Sequence, residues 1–171
     1  AHHGFDRAKD YAHNSHAPKV WPTTADLHLV WDVPYTPGTL RVVGRNDDQE
    51  VCSYEVTTAG APARIELTAD RDLLAADGRD VAHLVVRVLD AAGVECPDAD
   101  NLIAFQVQGA GALIGVDNGD PASHEPMKAS QRHAFHGLCL AIVQTTTAPG
   151  TIRVEAAAEE LAGAAVVVRS A

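Results

Sequence analysis

GAGALIGVDNGDPASHE, residues 109–125, carries a short apolar run, Leu113-Ile114-Gly115-Val116, straight into a polar turn, Asp117-Asn118-Gly119-Asp120-Pro121. Asp and Asn side chains cap nearby backbone N–H groups, Gly accepts positive φ and Pro fixes φ, so this stretch reads as a strand ending in a tight, self-capped turn. Strand followed at once by turn chemistry, with no room for a helix, is the pattern of an all-β domain.

Working outward, the same two-residue period recurs. Residues 81–90 place Ala82, Leu84, Val86 and Val88 on one face, with His83 and Arg87 on the other. Residues 102–108 turn Ile103, Phe105 and Val107 inward, and 63–68 do the same with Ile65 and Leu67. Residues 137–145 are expected to bury Leu138, Leu140 and Ile142, and 151–156 and 165–169 complete the set. Asp77-Gly78 and Ala91-Ala92-Gly93 supply turns between them. Such short strands separated by turn signals predict a β-sandwich. Residues 156–161 fit either a helical turn or the loop of a β-hairpin.

Upstream, Ala59-Gly60-Ala61-Pro62 is the best domain boundary. Before it, Leu27, Leu29, Trp31 and Val33 alternate with Asp26, His28, Val30 and Asp32, which predicts a strand over 26–33. A turn at residues 34–38, a strand at 39–44, a hairpin tip at 46–48 and a return over 51–58 make a three-stranded meander. Residues 1–20 are polar, show almost no period and read as extended or poorly ordered. The domain reading is therefore 1–20 as an N-terminal segment, 21–59 as a partial small β domain and 60–171 as an immunoglobulin-like sandwich.

Composition narrows the function. The net charge is −10 and the thirteen Lys and Arg residues are scattered, which argues against nucleic acid. Apolar runs such as 138–143 fall far short of the ~20 residues that span a bilayer, so no membrane partner is expected. The three cysteines lack CxxC spacing, which disfavours structural zinc; they read as reduced thiols, with a Cys52–Cys139 or Cys96–Cys139 bridge as the alternative. No cofactor is expected.

The oxygens of Asp117, Asn118 and Asp120 make a candidate cation site to which Glu125 could add a ligand, but the spacing of a calcium loop is lacking and a self-capped turn held by Gly119 and Pro121 is the simpler reading. Nine histidines show no metal-ligand spacing. Ser123-His124-Glu125 are adjacent in sequence, whereas relay triads are assembled from distant segments. Glu159 and Glu160 point apart on a strand or sit in a turn, so no catalytic residue is assigned. Trp21 and Tyr35 are the candidate carbohydrate-binding residues, because exposed rings stack on sugar C–H faces. Trp31 shares the apolar face of its segment and reads as core.

Leu67-Thr68-Ala69-Asp70-Arg71, Ala76-Asp77-Gly78-Arg79-Asp80 with the strand to Asp90, Gly93, Pro97, residues 101–109, the 115–125 turn, Arg132, Phe135, Gly137 and residues 140–143 resemble the immunoglobulin-like module that closes many bacterial glycoside hydrolase family 2 enzymes of β-galactosidase type. Leu29-Val30-Trp31-Asp32-Val33-Pro34-Tyr35, Pro37-Gly38-Thr39-Leu40 and Val56-Thr57-Thr58-Ala59-Gly60 resemble the small domain that precedes it, without that domain's opening strands. The resemblance implies a non-catalytic accessory region, cut inside a domain, whose partner is the catalytic barrel of a parent retaining β-galactosidase. The retaining mechanism needs two carboxylates roughly 5–5.5 Å apart on a barrel of about 250 residues, and this chain is too short for one. Unpaired strand edges left by missing strands imply a second partner, another copy of the chain joined through residues 20–45. A carbohydrate-binding module and a cell-surface adhesin-like spacer are the alternatives.

Overall fold

The computed structural model describes residues 30–171, and among these all regular structure is strand. The expectations for residues 1–20, for Trp21 and for the first part of the 26–33 strand lie outside the described residues. Residues 30–36 carry no regular structure, so the described end of the predicted 26–33 strand is not a strand.

β1 (Thr39–Asn46) and β2 (Gln49–Thr57) form an antiparallel hairpin turned by Asp47 and Asp48, both with positive φ. Among the described residues this sheet has two strands; most of the third strand expected for the meander, over 26–33, lies outside them. Its register pairs Leu40 with Val56, Val42 with Tyr54 and Gly44 with Cys52, which puts the apolar side chains on one face. The opposite face is polar, with Arg41 held 2.8 Å from Glu50 and 3.2 Å from Glu55. Those pairs are solvated and each contributes roughly 0–1 kcal/mol. The apolar face remains exposed at Leu40, Val42, Tyr54 and Val56, as do Trp31 and Tyr35 upstream. Trp31 is therefore not core. Alternation identifies residues that share a face; it does not supply a layer to cover that face.

The rest is a sandwich of two sheets. β3 (Pro62–Ala69), β5 (Val81–Asp90), β9 (Leu138–Thr145) and β7 (Gly111–Asp117) form one, in the order β3-β5-β9-β7. β4 (Leu73–Leu74), β11 (Ala164–Ser170), β10 (Gly150–Ala157), β6 (Leu102–Gly109) and β8 (Gln131–His133) form the other, in the order β4-β11-β10-β6-β8. From β3 onward the chain changes sheet at every connection except the β10–β11 hairpin. The turn of that hairpin folds onto the β3 edge, where Ala162 bonds to Ile65 and Ala63. Covering the edge this way removes a free pairing site.

The core lies between the sheets. Leu84, Val86, Val88, Ile103, Val143, Ile152 and Val154 are all at 1% exposure or less. Each such side chain contributes about 1.5–3 kcal/mol of burial. The inward parity of β3, β5 and β6 follows the alternation of their sequences. In β9 it is the reverse of the expectation: Cys139, Ala141 and Val143 are buried, while Leu138, Leu140 and Ile142 face outward. These inner residues lie beside Val86, Leu84 and Ala82 of β5 on the same inward face, where interior volume is limited. All three cysteines are free; Cys52 is exposed, and Cys96 and Cys139 are buried. Desolvation pushes the Cys139 thiol up to about 12, which keeps it protonated and inert.

Candidate functional site

The polar turn after β7 and the short strand β8 converge on one buried cation, Arg132. Asp117 Oδ1 accepts the backbone N–H groups of Asn118 (2.7 Å) and Gly119 (3.2 Å). Gly119 sits at φ 74°, a conformation that closes the turn and that glycine adopts without strain. Asn118 Oδ1 accepts from Asp120 N at 3.0 Å, and Asp120 Oδ1 accepts from Ala122 N at 2.8 Å. Each polar side chain thus caps the backbone just ahead of it, which is why this composition folds locally.

The guanidinium then ties the loop down. Arg132 is 2% exposed. Its Nη2 donates to Asn118 Oδ1 at 2.9 Å, and its Nη1 donates to the Glu125 carbonyl at 2.9 Å. Its Nε is buried without a hydrogen-bond partner and lies 3.5 Å from Glu125 Oε2, so that contact is an ion pair only. Asp117 Oδ1 lies 3.7 Å from Arg132 Nη2. Asn118 Nδ2 also donates to the His133 carbonyl at 3.0 Å, and Val116 N donates to the Met127 carbonyl at 2.8 Å, so both ends of the loop are sewn to the sheets.

Glu125 links the loop to the next residue of β8: its Oε1 is 2.7 Å from His133 Nδ1. The hydrogen bond from the His133 ring is the main cause holding the Glu125 carboxyl below the usual carboxylate range. A carboxylate with a depressed folded-state pKa contributes stability above its unfolded pKa and loses it as pH falls through the folded value. The urea midpoint of the chain is therefore expected to fall as pH drops from about 5 towards 3. Glu125→Gln should flatten that dependence; an unchanged slope would show that Glu125 is not coupled to folding. The Asp117 carboxyl is likewise lowered, chiefly by the Gly119 and Asn118 N–H groups.

Asp117, Asn118 and Asp120 lie together in this turn, and their bonded oxygens face backbone N–H groups and the Arg132 guanidinium. Among the described residues no group of three or more His, Cys, Asp or Glu is placed to hold a metal ion. Ser123 Oγ accepts from Glu125 N at 3.3 Å, and the Glu125 carboxylate engages His133, so Ser123, His124 and Glu125 form no relay. Glu159 and Glu160 sit on the β10–β11 turn and rim a hollow of about 600 Å³ with Asn101, Leu102 and Ala157. Tyr35 is 80% exposed and Trp31 49%. The role of Arg132 was not read from the sequence. Its one signal is an arginine placed just before the apolar run of β9, and that is a weak one.

Comparison with known proteins places this geometry. Residues 65–167 match the model described as glycoside hydrolase family 2 C-terminal domain 5, and residues 9–52 match a domain of unknown function. The β-galactosidase BoGH2A of Bacteroides ovatus is 47% identical over 136 residues, 80% of this chain and 16% of that protein. A β-glucuronidase of Formosa agariphila is 33% identical over 95 residues, 54% of this chain and 10% of that protein. A crystal structure of a glycosyl hydrolase family 2 member from Bacteroides cellulosilyticus superimposes with a TM-score of 0.79 at 33% identity, over 84% of this chain and 18% of that one. The chain thus spans less than a fifth of the length of each of these three relatives.

Proposed function

The chain belongs to the glycoside hydrolase family 2 C-terminal domains, and from that premise we propose that it is a non-catalytic accessory module of a larger glycosidase. It packs against the catalytic barrel of that enzyme and stabilises it. The parent is a retaining β-galactosidase, in keeping with the name of the relative from Bacteroides ovatus.

The observation that carries the non-catalytic reading is the fate of the carboxylates. Retaining hydrolysis needs two of them flanking a substrate, roughly 5–5.5 Å apart. In the sandwich Asp77, Asp80, Asp90, Asp117 and Asp120 each accept backbone N–H groups, and Glu125 is engaged by His133 and Arg132. These are structural duties. The exposed apolar face of β1–β2 supports packing against the rest of the parent, because an isolated two-stranded hairpin is marginal in water.

The test has two arms. The chain alone, incubated with an aryl β-galactoside, should release no phenol above buffer. In the full-length parent, deletion of the sandwich should lower the thermal midpoint of the enzyme. Turnover by the isolated chain, or a parent unaffected by the deletion, would overturn the reading.

The exposure of Tyr35 and Trp31 favours a second reading, a carbohydrate-binding module in which Trp21 would also take part. Saturable calorimetric titration with galactose, lactose or a soluble galactan, lost in Tyr35→Ala and Trp21→Ala, would select it. Light scattering of the same sample tests pairing of two copies through the hairpin.

A further inference from the structure

The junction between the hairpin and the sandwich is built unlike a flexible tether. The two family matches end at residue 52 and begin at residue 65, so the boundary falls between them. Thr58 still belongs to the hairpin: its N–H donates to the Gly38 carbonyl at 2.9 Å, and its Oγ1 accepts from Gly38 N at 3.2 Å. Gly60 already belongs to the sandwich. Its N–H donates to Asp90 Oδ2 at 2.7 Å, and its carbonyl accepts from Cys96 Sγ at 3.6 Å. Only Ala59 separates them, and Ala59 packs on the core.

Both groups that grip Gly60 are buried, Asp90 at 5% exposure and Cys96 at 3%. A carboxylate taken out of water is costly unless its oxygens are bonded. Asp90 meets that condition by using one oxygen on Gly60 and the other on Val94 N at 2.8 Å. The second bond anchors the carboxylate in the turn that follows β5, and Cys96 is fixed to β5 by its own N–H, 2.9 Å from the Val88 carbonyl. The two residues therefore present a pre-set acceptor and donor to the two peptide groups that flank Gly60. An apolar contact would bury the junction equally well without fixing its direction; hydrogen bonds to both sides of a single residue do fix it.

We propose that Asp90, with Cys96, is a positioning clasp that fixes the direction in which the chain enters the sandwich, so that hairpin and sandwich move as one body. The proposal concerns this chain's own junction and does not depend on the parent's reaction.

Paired spin labels test it in the full 171-residue chain. One label goes on the exposed native thiol Cys52 of the hairpin and the other on Lys128→Cys of the sandwich; Cys96 and Cys139 are buried and stay unlabelled. The unsubstituted junction should give a single narrow distance distribution. Asp90→Ala should widen it about two-fold, as expected when a short linker regains its freedom, and Asp90→Asn, which keeps an acceptor, should restore most of the narrowness. A reference pair inside the sandwich, Lys128→Cys with Val167→Cys in a Cys52→Ser background, should not change width in either variant. If Asp90→Ala fails to fold, Gly60→Pro removes the donated N–H while leaving the buried acid in place, and it should give the same widening. A broad distribution in the unsubstituted chain would overturn the proposal. So would an unchanged width in Asp90→Ala, or in Gly60→Pro where that variant stands in for it, with the reference pair intact.

Discussion

Arg132→Ala is expected to lower the unfolding free energy by about 3 kcal/mol, to be read by denaturant titration. Removing one partner from a buried charged network costs about 3–5 kcal/mol, because the remaining groups lose their compensation. The lower end applies here, since the side chains of Asp117 and Glu125 are 46% and 31% exposed and regain some water when the cation leaves. What is lost outright is the pair of bonds to Asn118 Oδ1 and the Glu125 carbonyl, together with the packing of the buried stem. Arg132→Met restores the stem but leaves the loop oxygens facing an apolar tip, so it should recover less than half of the loss. The loss is expected to be local in origin: amide exchange of residues 117–125 should accelerate before that of β5 and β10. A variant that loses less than about 1 kcal/mol, the scale of a single hydrogen bond, with the loop amides still protected, would mean that the Asx caps alone hold the turn.

That network marks where sequence reading reaches its limit. The turn itself was legible, because Asp117, Asn118, Gly119 and Asp120 act on backbone groups within a few residues and local chemistry is written locally. Arg132 joins it from β8, a strand of three residues in which no period can be recognised. β4, with two residues, was illegible for the same reason. β5 was legible because over residues 81–88 only one parity, Ala82, Leu84, Val86 and Val88, is wholly apolar. β9 was misread because Leu138, Leu140 and Ile142 compete with Cys139, Ala141 and Val143, and both parities are apolar. Size then pointed to the wrong face, and only the pairing with β5 and the facing sheet selects the smaller set. In the hairpin the shared face of Leu40, Val42, Tyr54 and Val56 follows from alternation, whereas its exposure depends on a layer that periodicity does not describe.

Gly109→Ala is expected to be at least as damaging, for a reason that backbone geometry makes unusually direct. β6 ends at Gly109 and β7 begins at Gly111, so the chain passes from one sheet to the other with Ala110 as the only residue between. Gly109 adopts φ 97°, and it is paired with Ile152 in the register of β6 with β10. A Cβ at this position would overlap the Thr151 carbonyl oxygen, the same oxygen that accepts the Ala110 N–H at 3.0 Å. The clash is with backbone, so no rotamer relieves it; either the corner opens or the β6–β10 pairing shifts. Both routes disturb Ile152, which is fully buried. The expected loss is about 4 kcal/mol or more, a size that single substitutions reach only through such a mechanism. Gly119→Ala provides the control. Gly119 also has positive φ, at 74°, but an added Cβ there meets nothing within 4 Å. It should cost only the left-handed strain of an L-residue, about 1–2 kcal/mol. The difference between the two variants isolates the steric contribution from the conformational one. Equal losses would mean that the corner at Ala110 relaxes freely, and that the close approach of Gly109 to the Thr151 carbonyl is not what holds β6 and β10 in register.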